Sequence, residues 1–372
     1  MTTVLATEVP LPGVTHEALR VERRLAALAG QGGGVLIAPN SSSGPLMMPG
    51  IRHLDPGVPI GARPEHFGEI ICDVVQRYVT DNRPDVVHCL GIRSAIGAMT
   101  GARGTRVVLE AGQMPSQMIR DGRRELPAAQ VLDLVELEDK ALTRANILIA
   151  RNQLEAATLV GRGASSEKVL IAPDGLPVQR EVTPISQLPS IAAVVKGTPE
   201  ADLTVLISAL VRLKRPFRLT IFHDGDTLRP EMIRELKGSS VGARVELVPI
   251  GEDMPLRLVG AQVMVSAPQP GRSLAAGGWL PESVPWALAV GRPVVAPDVG
   301  AVRAYAGGGA NYYEAGNSGA LYERLEELLG DSAIRDEALE RIRDRRGALS
   351  WDQSNRTVND VWTIQRRFSE DR

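Results

Sequence analysis

Short runs of β-branched residues alternate with helical patterns along almost the whole chain, and this alternation limits the possible folds more than anything else in the sequence. In the first half, strands are predicted at 2–7, 35–38, 85–88, 106–110, 147–150 and 168–172. Helical patterns lie beside or between them, at 17–29, 67–82, 128–142 and 153–160. A strand, a helix and a further strand at this spacing form a right-handed crossover, so the pattern predicts a parallel sheet covered by helices.

The pattern stops once and then resumes. Residues 174–190 contain Pro177, Pro184 and Pro189 with little periodicity, which is typical of an interdomain linker. Strands are then predicted at 191–195, 219–222, 245–248, 263–265 and 294–296, with helices at 203–213, 229–237, 284–290 and 321–329. The stretch 336–368 is predicted to form one or two charged helices.

These elements predict an α/β chain of two Rossmann-like domains. The N-terminal domain is expected at 1–176, a linker at 177–190, the C-terminal domain at 191–346, and a C-terminal helix at 347–372 that packs back on the N-terminal domain. Parallel sheets of this kind bind ligands at the carboxyl ends of their strands. We therefore expect the two domains to face each other across a ligand-binding cleft.

Charge and composition exclude several classes of protein. The chain has 372 residues, with 42 Lys and Arg against 44 Asp and Glu, so no basic excess exists for a protein held on nucleic acid mainly by phosphate contacts. The two cysteines, Cys72 and Cys89, form no CxxC motif, which excludes a disulfide framework and a cysteine zinc site. This usage predicts a cytoplasmic, reducing compartment.

Targeting and membrane-spanning signals are not found in the sequence. The N-terminus has no charged region ahead of an apolar run, so no signal peptide is expected. No stretch of about 18 apolar residues exists, and no transmembrane helix is expected either. Peripheral contact with a membrane stays open.

The common motifs of metal, serine and phosphate-loop chemistry are incomplete or missing. His16-Glu17 is followed by Arg20 where a second zinc-binding histidine would stand, and neither GxSxG nor GxxxxGK[ST] occurs. The glycines of 30–34 lie between a helix and a strand, whereas a dinucleotide fingerprint lies between a strand and a helix. We expect no catalytic metal site.

Four segments of the second half follow one another in an order known from a large enzyme family. They read FRLTIFHDG at 217–225, GAQVMVSAP at 260–268, LPESVP at 280–285 and ALAVGRPVVAPDVG at 287–300. This order resembles the donor domain of GT-B glycosyltransferases, in particular the retaining family 4. In the first half, DVVH at 85–88, VLEAGQMPS at 108–116 and the segment 145–175, ending in KVLIAPDG, are similar to the acceptor domain of that family.

The resemblance implies a fold and an activity. The fold would be GT-B, with two Rossmann-like parallel-sheet domains. The activity would be transfer of a sugar from a nucleotide-diphosphate sugar to an acceptor, retaining and independent of metal, in carbohydrate biosynthesis. The nucleotide sugar would be a co-substrate, and no other cofactor is expected. The acceptor would be a small molecule, a glycan or a lipid-linked molecule, and no nucleic acid is expected as a partner.

The chain departs from the family at the donor motif. The family usually has two glutamates eight positions apart, and aligning on GRPVVAP puts Gly278 and Trp286 in their places, with Glu282 between them. The family also uses an arginine and a lysine near the first donor-domain strand. Lys196 stands at the arginine and Ala201 at the lysine.

Donor-side roles follow from what a leaving diphosphate needs. Lys196 is the candidate catalytic cation, and the backbone amides of 277–283, including Gly278, Glu282 and Ser283, form a candidate anion site at a helix start. Trp286 is a candidate platform for the base. The alternatives are a solvated lysine, a plain helix cap and a core tryptophan. Gly225, in a turn after a strand, would allow the nucleotide to approach the backbone.

Acceptor-side candidates lie at the strand ends of the first half. Gly13 and His16 follow the first strand, and His88 ends the strand DVVH. Glu110 ends another strand, where a carboxylate could accept a proton or bind the sugar. The alternative for Glu110 is a satisfied polar residue, and for His88 a packed histidine.

Two further functions stay open at this point. Because both glutamates are replaced, the chain could be a degenerate GT-B protein that acts as a binding partner or scaffold of an active transferase. A nucleotide-sugar epimerase is a third possibility, since such enzymes share the fold.

Overall fold

The structure of the protein is a computed structural model. It describes residues 2–41, 44–58, 64–101, 104–112, 114–118, 127–177, 189–196, 203–224, 228, 230–268 and 280–369.

The chain divides into two compact units. The first unit consists of Met1–Gly175 together with Trp351–Arg372, and the second of Leu176–Ser350. The C-terminal helix, Trp351–Ser369, therefore belongs to the first unit although the second unit precedes it in the chain. Most of the predicted linker, 178–188, lies outside the described residues. Asp174, at the start of the predicted break, is buried within the first unit.

The first unit contains a parallel sheet of seven strands in the order β3-β2-β1-β4-β5-β6-β7. The strands are β1 Thr3–Thr7, β2 Gly34–Ile37, β3 Ile51–Leu54, β4 Val86–Leu90, β5 Arg106–Glu110, β6 Ile147–Ala150 and β7 Val169–Ile171. Its helices are His16–Ala29, Pro64–Asn82, Ile92–Gly101, Pro115–Met118, Ala128–Arg144, Gln153–Gly161 and Trp351–Ser369, with a 3₁₀ turn at Ser166–Lys168.

The second unit contains a parallel sheet of six strands in the order β10-β9-β8-β11-β12-β13. The strands are β8 Ser190–Val195, β9 Arg218–His223, β10 Val245–Pro249, β11 Val263–Val265, β12 Val294–Pro297 and β13 Asn311–Tyr313. Its helices are Thr204–Leu210, Pro230–Gly238, Met254–Leu258, Ser283–Val290, Gly300–Ala306, Ser318–Gly330 and Ser332–Ala348, with 3₁₀ turns at Gly242–Arg244 and Gly307–Gly309.

Helices cover both faces of the first sheet. On β1, Val4 and Ala6 lie in an apolar cluster with Val75 of the helix Pro64–Asn82, whereas Leu5 lies in another cluster with Val21 and other residues of the helix His16–Ala29. Successive side chains of a strand point to opposite faces of the sheet. Because helices cover both faces, every β1 side chain is buried. Strands that are buried on both faces have nearly continuous apolar sequences, which explains the β-branched runs in this chain.

The predicted parallel sheets are confirmed, and the differences concern edge strands and short helices. The sequence analysis missed β3 and β13, which are edge strands. It also missed the short helices Pro115–Met118, Met254–Leu258 and Gly300–Ala306. The predicted charged stretch 336–368 is two helices, Ser332–Ala348 and Trp351–Ser369. Among the described residues, no helix is both long and apolar enough to span a membrane.

Candidate functional site

Each sheet has one place where the strand order reverses, and ligands of doubly wound sheets bind at the carboxyl ends of the strands there. In the first sheet the reversal lies between β1 and β4, and in the second sheet between β8 and β11. The residues that directly follow these four strands are Glu8, Gly91, Lys196 and Ser266. Two of them, Lys196 and Ser266, place polar groups at the reversal point of the second sheet.

Lys196 and Ser266 have different surroundings in the second unit. Lys196 is partly buried directly after the last residue of β8. Ser266 is 2% exposed, and its hydroxyl has no hydrogen-bond partner among the described residues. Because buried polar groups are normally hydrogen-bonded, this hydroxyl can accept or donate a bond to a bound molecule at the sheet edge.

The Ser283 side chain links the start of the helix Ser283–Val290 to β8, the strand that Lys196 directly follows. Its hydroxyl oxygen accepts a hydrogen bond from the Val194 backbone N–H at 2.8 Å, and the hydroxyl lies 3.1 Å from the Val194 carbonyl oxygen. Both residues are buried, and the helix Ser283–Val290 is buried along its whole length. The helix therefore begins close to the carboxyl end of β8, where the positive end of its dipole favours an anion.

Ser283→Ala is expected to lower the free energy of unfolding of the second unit by about 1–3 kcal/mol, because it leaves the buried Val194 amide without an acceptor. Denaturant unfolding measures the change. Ser190→Ala is the matched control, since the Ser190 hydroxyl, at the other end of β8, bonds the Gly260 carbonyl at 3.0 Å near solvent. It also accepts from the Gln262 amide at 3.1 Å, but that amide keeps a second acceptor in the variant, the Ser190 carbonyl at 2.8 Å. Equal losses in the two variants would contradict the role given to Ser283.

Of the remaining donor-side candidates, Glu282 and Trp286 are buried, and the two glycines lie in segments that the structure does not describe. Glu282 directly precedes the Ser283 helix and is buried. Trp286 is 1% exposed, and its indole Nε1 has no hydrogen-bond partner among the described residues. Stacking on a base would need this ring to be uncovered, whereas the alternative of a core tryptophan needs no change. Gly225 and Gly278 lie outside the described residues.

In the first unit, Glu8 is a residue that the sequence analysis missed. Its Oε1 accepts a hydrogen bond from the Arg93 backbone N–H at 3.0 Å, at the start of the helix Ile92–Gly101. Burial raises the pKa of Glu8, although the Arg93 charge opposes this. Gly91, at φ +136°, leaves room for the carboxylate, because a Cβ there would lie 2.7 Å from Glu8 Oε1. The sequence did contain a signal for Glu8, because it is an acidic residue directly after the first strand.

Glu110 lies in a buried ionic cluster at the carboxyl end of β5. Its Oε1 accepts a hydrogen bond from Arg24 Nε at 2.9 Å and lies 3.1 Å from His88 Nε2. All three side chains are almost fully buried. Burial alone would raise the pKa of Glu110, but Arg24, His88 and Arg20 together hold it well below its ordinary value. Glu110 is therefore a carboxylate at neutral pH.

The C-terminal helix, Trp351–Ser369, supplies further hydrogen-bond partners to Arg24 and His88. Arg24 Nη1 donates to Ser354 Oγ at 3.0 Å and to Asn355 Oδ1 at 2.7 Å. Trp362 Nε1 donates to His88 Nδ1 at 3.1 Å. Because an indole nitrogen can only donate, His88 Nδ1 is the acceptor, and the ring hydrogen lies on Nε2, toward Glu110.

The other acceptor-side candidates lie around the same helix, His16–Ala29. The Gly13 amide donates to Glu22 Oε1 at 3.1 Å. His16 Nε2 lies 3.2 Å from the Gly175 carbonyl oxygen, to which it donates, and its ring lies 6.1 Å from that of Trp351. The structure thus brings His88 and Glu110 into direct contact, with His16 on the helix that also supplies Arg24.

The predicted donor and acceptor candidates thus occupy separate units. Lys196, Glu282, Ser283 and Trp286 belong to the second unit, and the four acceptor-side residues belong to the first. Their chemistry differs as well. The second unit offers a lysine and a helix start for an anion, whereas the candidates of the first unit include a glutamate and two histidines with fixed partners. Among the described residues, no group of three or more His, Cys, Asp or Glu is arranged to hold a metal ion.

Comparison with solved structures identifies the fold. Sucrose-phosphate synthase from Thermosynechococcus elongatus is similar with a TM-score of 0.79 and 16% identity, over 100% of both chains. WaaG, a glycosyltransferase involved in lipopolysaccharide biosynthesis, is similar with a TM-score of 0.75 and 14% identity, over 97% of this chain and 99% of WaaG.

A third similar structure contains a ligand pair. HepE from Anabaena, solved in complex with UDP and glucose, has a TM-score of 0.72 and 12% identity, over 98% of this chain and 100% of HepE. The chain has the GT-B fold. The fold predicted from the sequence is therefore confirmed. No family model and no curated protein matches the chain.

Proposed function

We propose that the protein is a glycosyltransferase that takes its sugar from a nucleotide-diphosphate sugar. One observation carries the proposal: Lys196 directly follows β8 at the reversal point of the second sheet, and Ser283 holds the start of a buried helix against the same strand. A lysine after β8 and a helix start bonded to the same strand suit a diphosphate. The likeness to HepE, which was solved with UDP and glucose, supports this choice of donor.

The proposed reaction is retaining and needs no metal ion. When the bond between the sugar and the diphosphate breaks, negative charge grows on the leaving phosphate oxygen. The Lys196 ammonium and the positive end of the helix Ser283–Val290 would stabilise that charge without a cation from solution. The Ser266 hydroxyl, buried without a partner among the described residues, would bind a further oxygen of the donor.

The acceptor would bind to the first unit, and there Glu110 would act as a hydrogen-bond acceptor. A carboxylate whose pKa is held far below neutral is a weak proton acceptor at neutral pH. Its second oxygen, Oε2, is buried without a partner among the described residues, so an acceptor hydroxyl would reach it only after the side chains that cover it move. Glu8, at the reversal point of the first sheet, would be the second acid on this side.

A thermal-shift panel of UDP-, GDP- and ADP-sugars tests the proposal. One donor is expected to raise the melting temperature, since a ligand at about 100 times its Kd stabilises a protein by about 2.7 kcal/mol. Lys196→Ala is expected to abolish the rise. Lys214→Ala is the control, because Lys214 is an exposed lysine of the same unit.

The outcomes separate the proposal from its alternatives. A panel without any shift would contradict donor binding and favour the degenerate binding partner suggested by the missing glutamates. A shift that survives Lys196→Ala would contradict the role of the lysine. Conversion of the donor into its epimer without an acceptor would indicate an epimerase instead.

A further inference from the structure

The second unit contains a pocket of about 480 Å³ that the proposed reaction does not use. Its lining includes Arg303, Arg324 and Arg341, together with Gly308 and Tyr312, and we call it the arginine pocket. The three arginines come from three different helices, Gly300–Ala306, Ser318–Gly330 and Ser332–Ala348. The turn Gly307–Gly309 precedes β13, so this part of the lining lies at the amino end of that strand, away from the carboxyl ends proposed for the donor.

Arg341 is held in place by three hydrogen bonds. Its Nε donates to the Gly308 carbonyl at 3.1 Å, its Nη2 to Asn311 Oδ1 at 2.8 Å and its Nη1 to Glu337 Oε1 at 2.6 Å. A guanidinium fixed in this way loses little conformational entropy when a ligand binds.

Arg324 is held from the neighbouring helix. Its Nε donates to the Tyr312 carbonyl at 3.2 Å and its Nη1 to Glu327 Oε2 at 2.7 Å. Nη2 of Arg324 has no acceptor among the described residues.

Arg303 lies over the ring of Tyr312, with 4.5 Å between its guanidinium carbon and the ring centroid. Its Nε and Nη2 donate to the carboxylate of Asp298. Nη1 of Arg303 has no acceptor among the described residues. The pocket therefore presents unused N–H donors from two walls, Arg303 and Arg324.

The three arginines of the lining are each balanced by one carboxylate, so the pocket would recognise an anion through directed N–H donors rather than through net charge. Asp298, Glu327 and Glu337 each pair with one of the three arginines. Arg345 lies outside the lining, near Gly307 and Gly309, and donates to the backbone carbonyls of Tyr305 and Ala304.

We propose that the arginine pocket binds a small anion that carries a phosphoryl group. A carboxylate needs only one guanidinium fork, whereas a phosphoryl group has enough oxygens to use donors from several directions at once. Neither Lys196 nor Ser266 nor Ser283 lines the pocket, so the site is separate from the proposed donor residues.

Titration calorimetry with inorganic phosphate on the full chain, at constant ionic strength, tests the proposal. Saturable binding is expected in the wild type, and Arg324→Gln is expected to weaken it about tenfold, the order of one lost charge-assisted hydrogen bond. Arg341→Gln is the second variant. Arg343→Gln is the matched control, because it removes the same charge from an exposed position of the Arg341 helix.

Lys196→Ala separates this site from the donor site. Phosphate binding that survives Lys196→Ala but weakens in Arg324→Gln supports the arginine pocket. Three results would overturn the proposal: no saturation in the wild type, binding that Arg324→Gln leaves unchanged, or an equal loss in Arg343→Gln. Because Arg324 is half-exposed, its variant keeps the test valid even where Arg341→Gln fails to fold.

Discussion

Replacing Arg24 with methionine is expected to lower the free energy of unfolding of the first unit by about 3–5 kcal/mol. Glu110 is 3% exposed, and Arg24 is its closest cationic partner, at 2.9 Å. Methionine fills much of the volume but leaves the buried carboxylate without its closest cation, with only the weaker influence of Arg20 and His88. Denaturant unfolding measures the loss, and amide exchange assigns it to the first unit.

Two control variants isolate the buried pair. The double variant Arg24→Met with Glu110→Gln is expected to recover most of the loss, because no uncompensated charge stays buried. Arg234→Met, which breaks a pair whose side chains are 75% and 67% exposed, is expected to cost about 0–1 kcal/mol. A loss below about 1 kcal/mol in Arg24→Met would contradict the buried ion pair.

Measuring the free energy of unfolding at acidic pH gives a second test of the buried ion pair. The pKa of Glu110 is lowered in the folded state, so the carboxylate stabilises the fold above its ordinary pKa of 4.5. This contribution falls as the pH drops below that value toward the lower folded pKa. Wild-type stability is therefore expected to decrease more steeply in acid than the stability of Glu110→Gln. Parallel acid profiles would show that Glu110 has an ordinary pKa.

The central strands could be predicted from the sequence because both of their faces are buried. The bounds of β5 and β6 agree with the prediction, since their residues form β-branched or apolar runs. The edge strands β3 and β13 could not be predicted in the same way. β3 reads IRHL and is only partly buried, and β13 has three residues, so neither has an apolar run.

The positions of candidate site residues could be predicted, but their partners could not. Lys196 and Glu110 stand at strand ends, and strand ends can be recognised locally. Arg24 and Glu110 are 86 positions apart, and Trp362 and His88 are 274 positions apart. Only the docking of the C-terminal helix brings the second pair together, and no local pattern encodes such a contact.

Trp362→Ala is expected to lower the free energy of unfolding of the first unit by about 3–5 kcal/mol. The side chain is fully buried in an apolar cluster that includes Leu28, Val108 and Val361. Its removal leaves a cavity in that cluster and takes the hydrogen-bond donor from His88 Nδ1. Trp362→Phe keeps most of the apolar contact and is expected to cost about 1–3 kcal/mol, the range for an unsatisfied buried polar group.

The neighbouring Thr363→Ala is the control for Trp362. The Thr363 hydroxyl bonds the Asn359 carbonyl of its own helix at 2.8 Å, so its loss is expected to change stability by no more than about 0.5 kcal/mol. Amide exchange in Trp362→Ala should accelerate in the C-terminal helix and in β4, because Trp362 connects them. If Trp362→Ala were as stable as Thr363→Ala, the C-terminal helix would not hold His88 and Glu110 in place, and their fixed geometry would need another source.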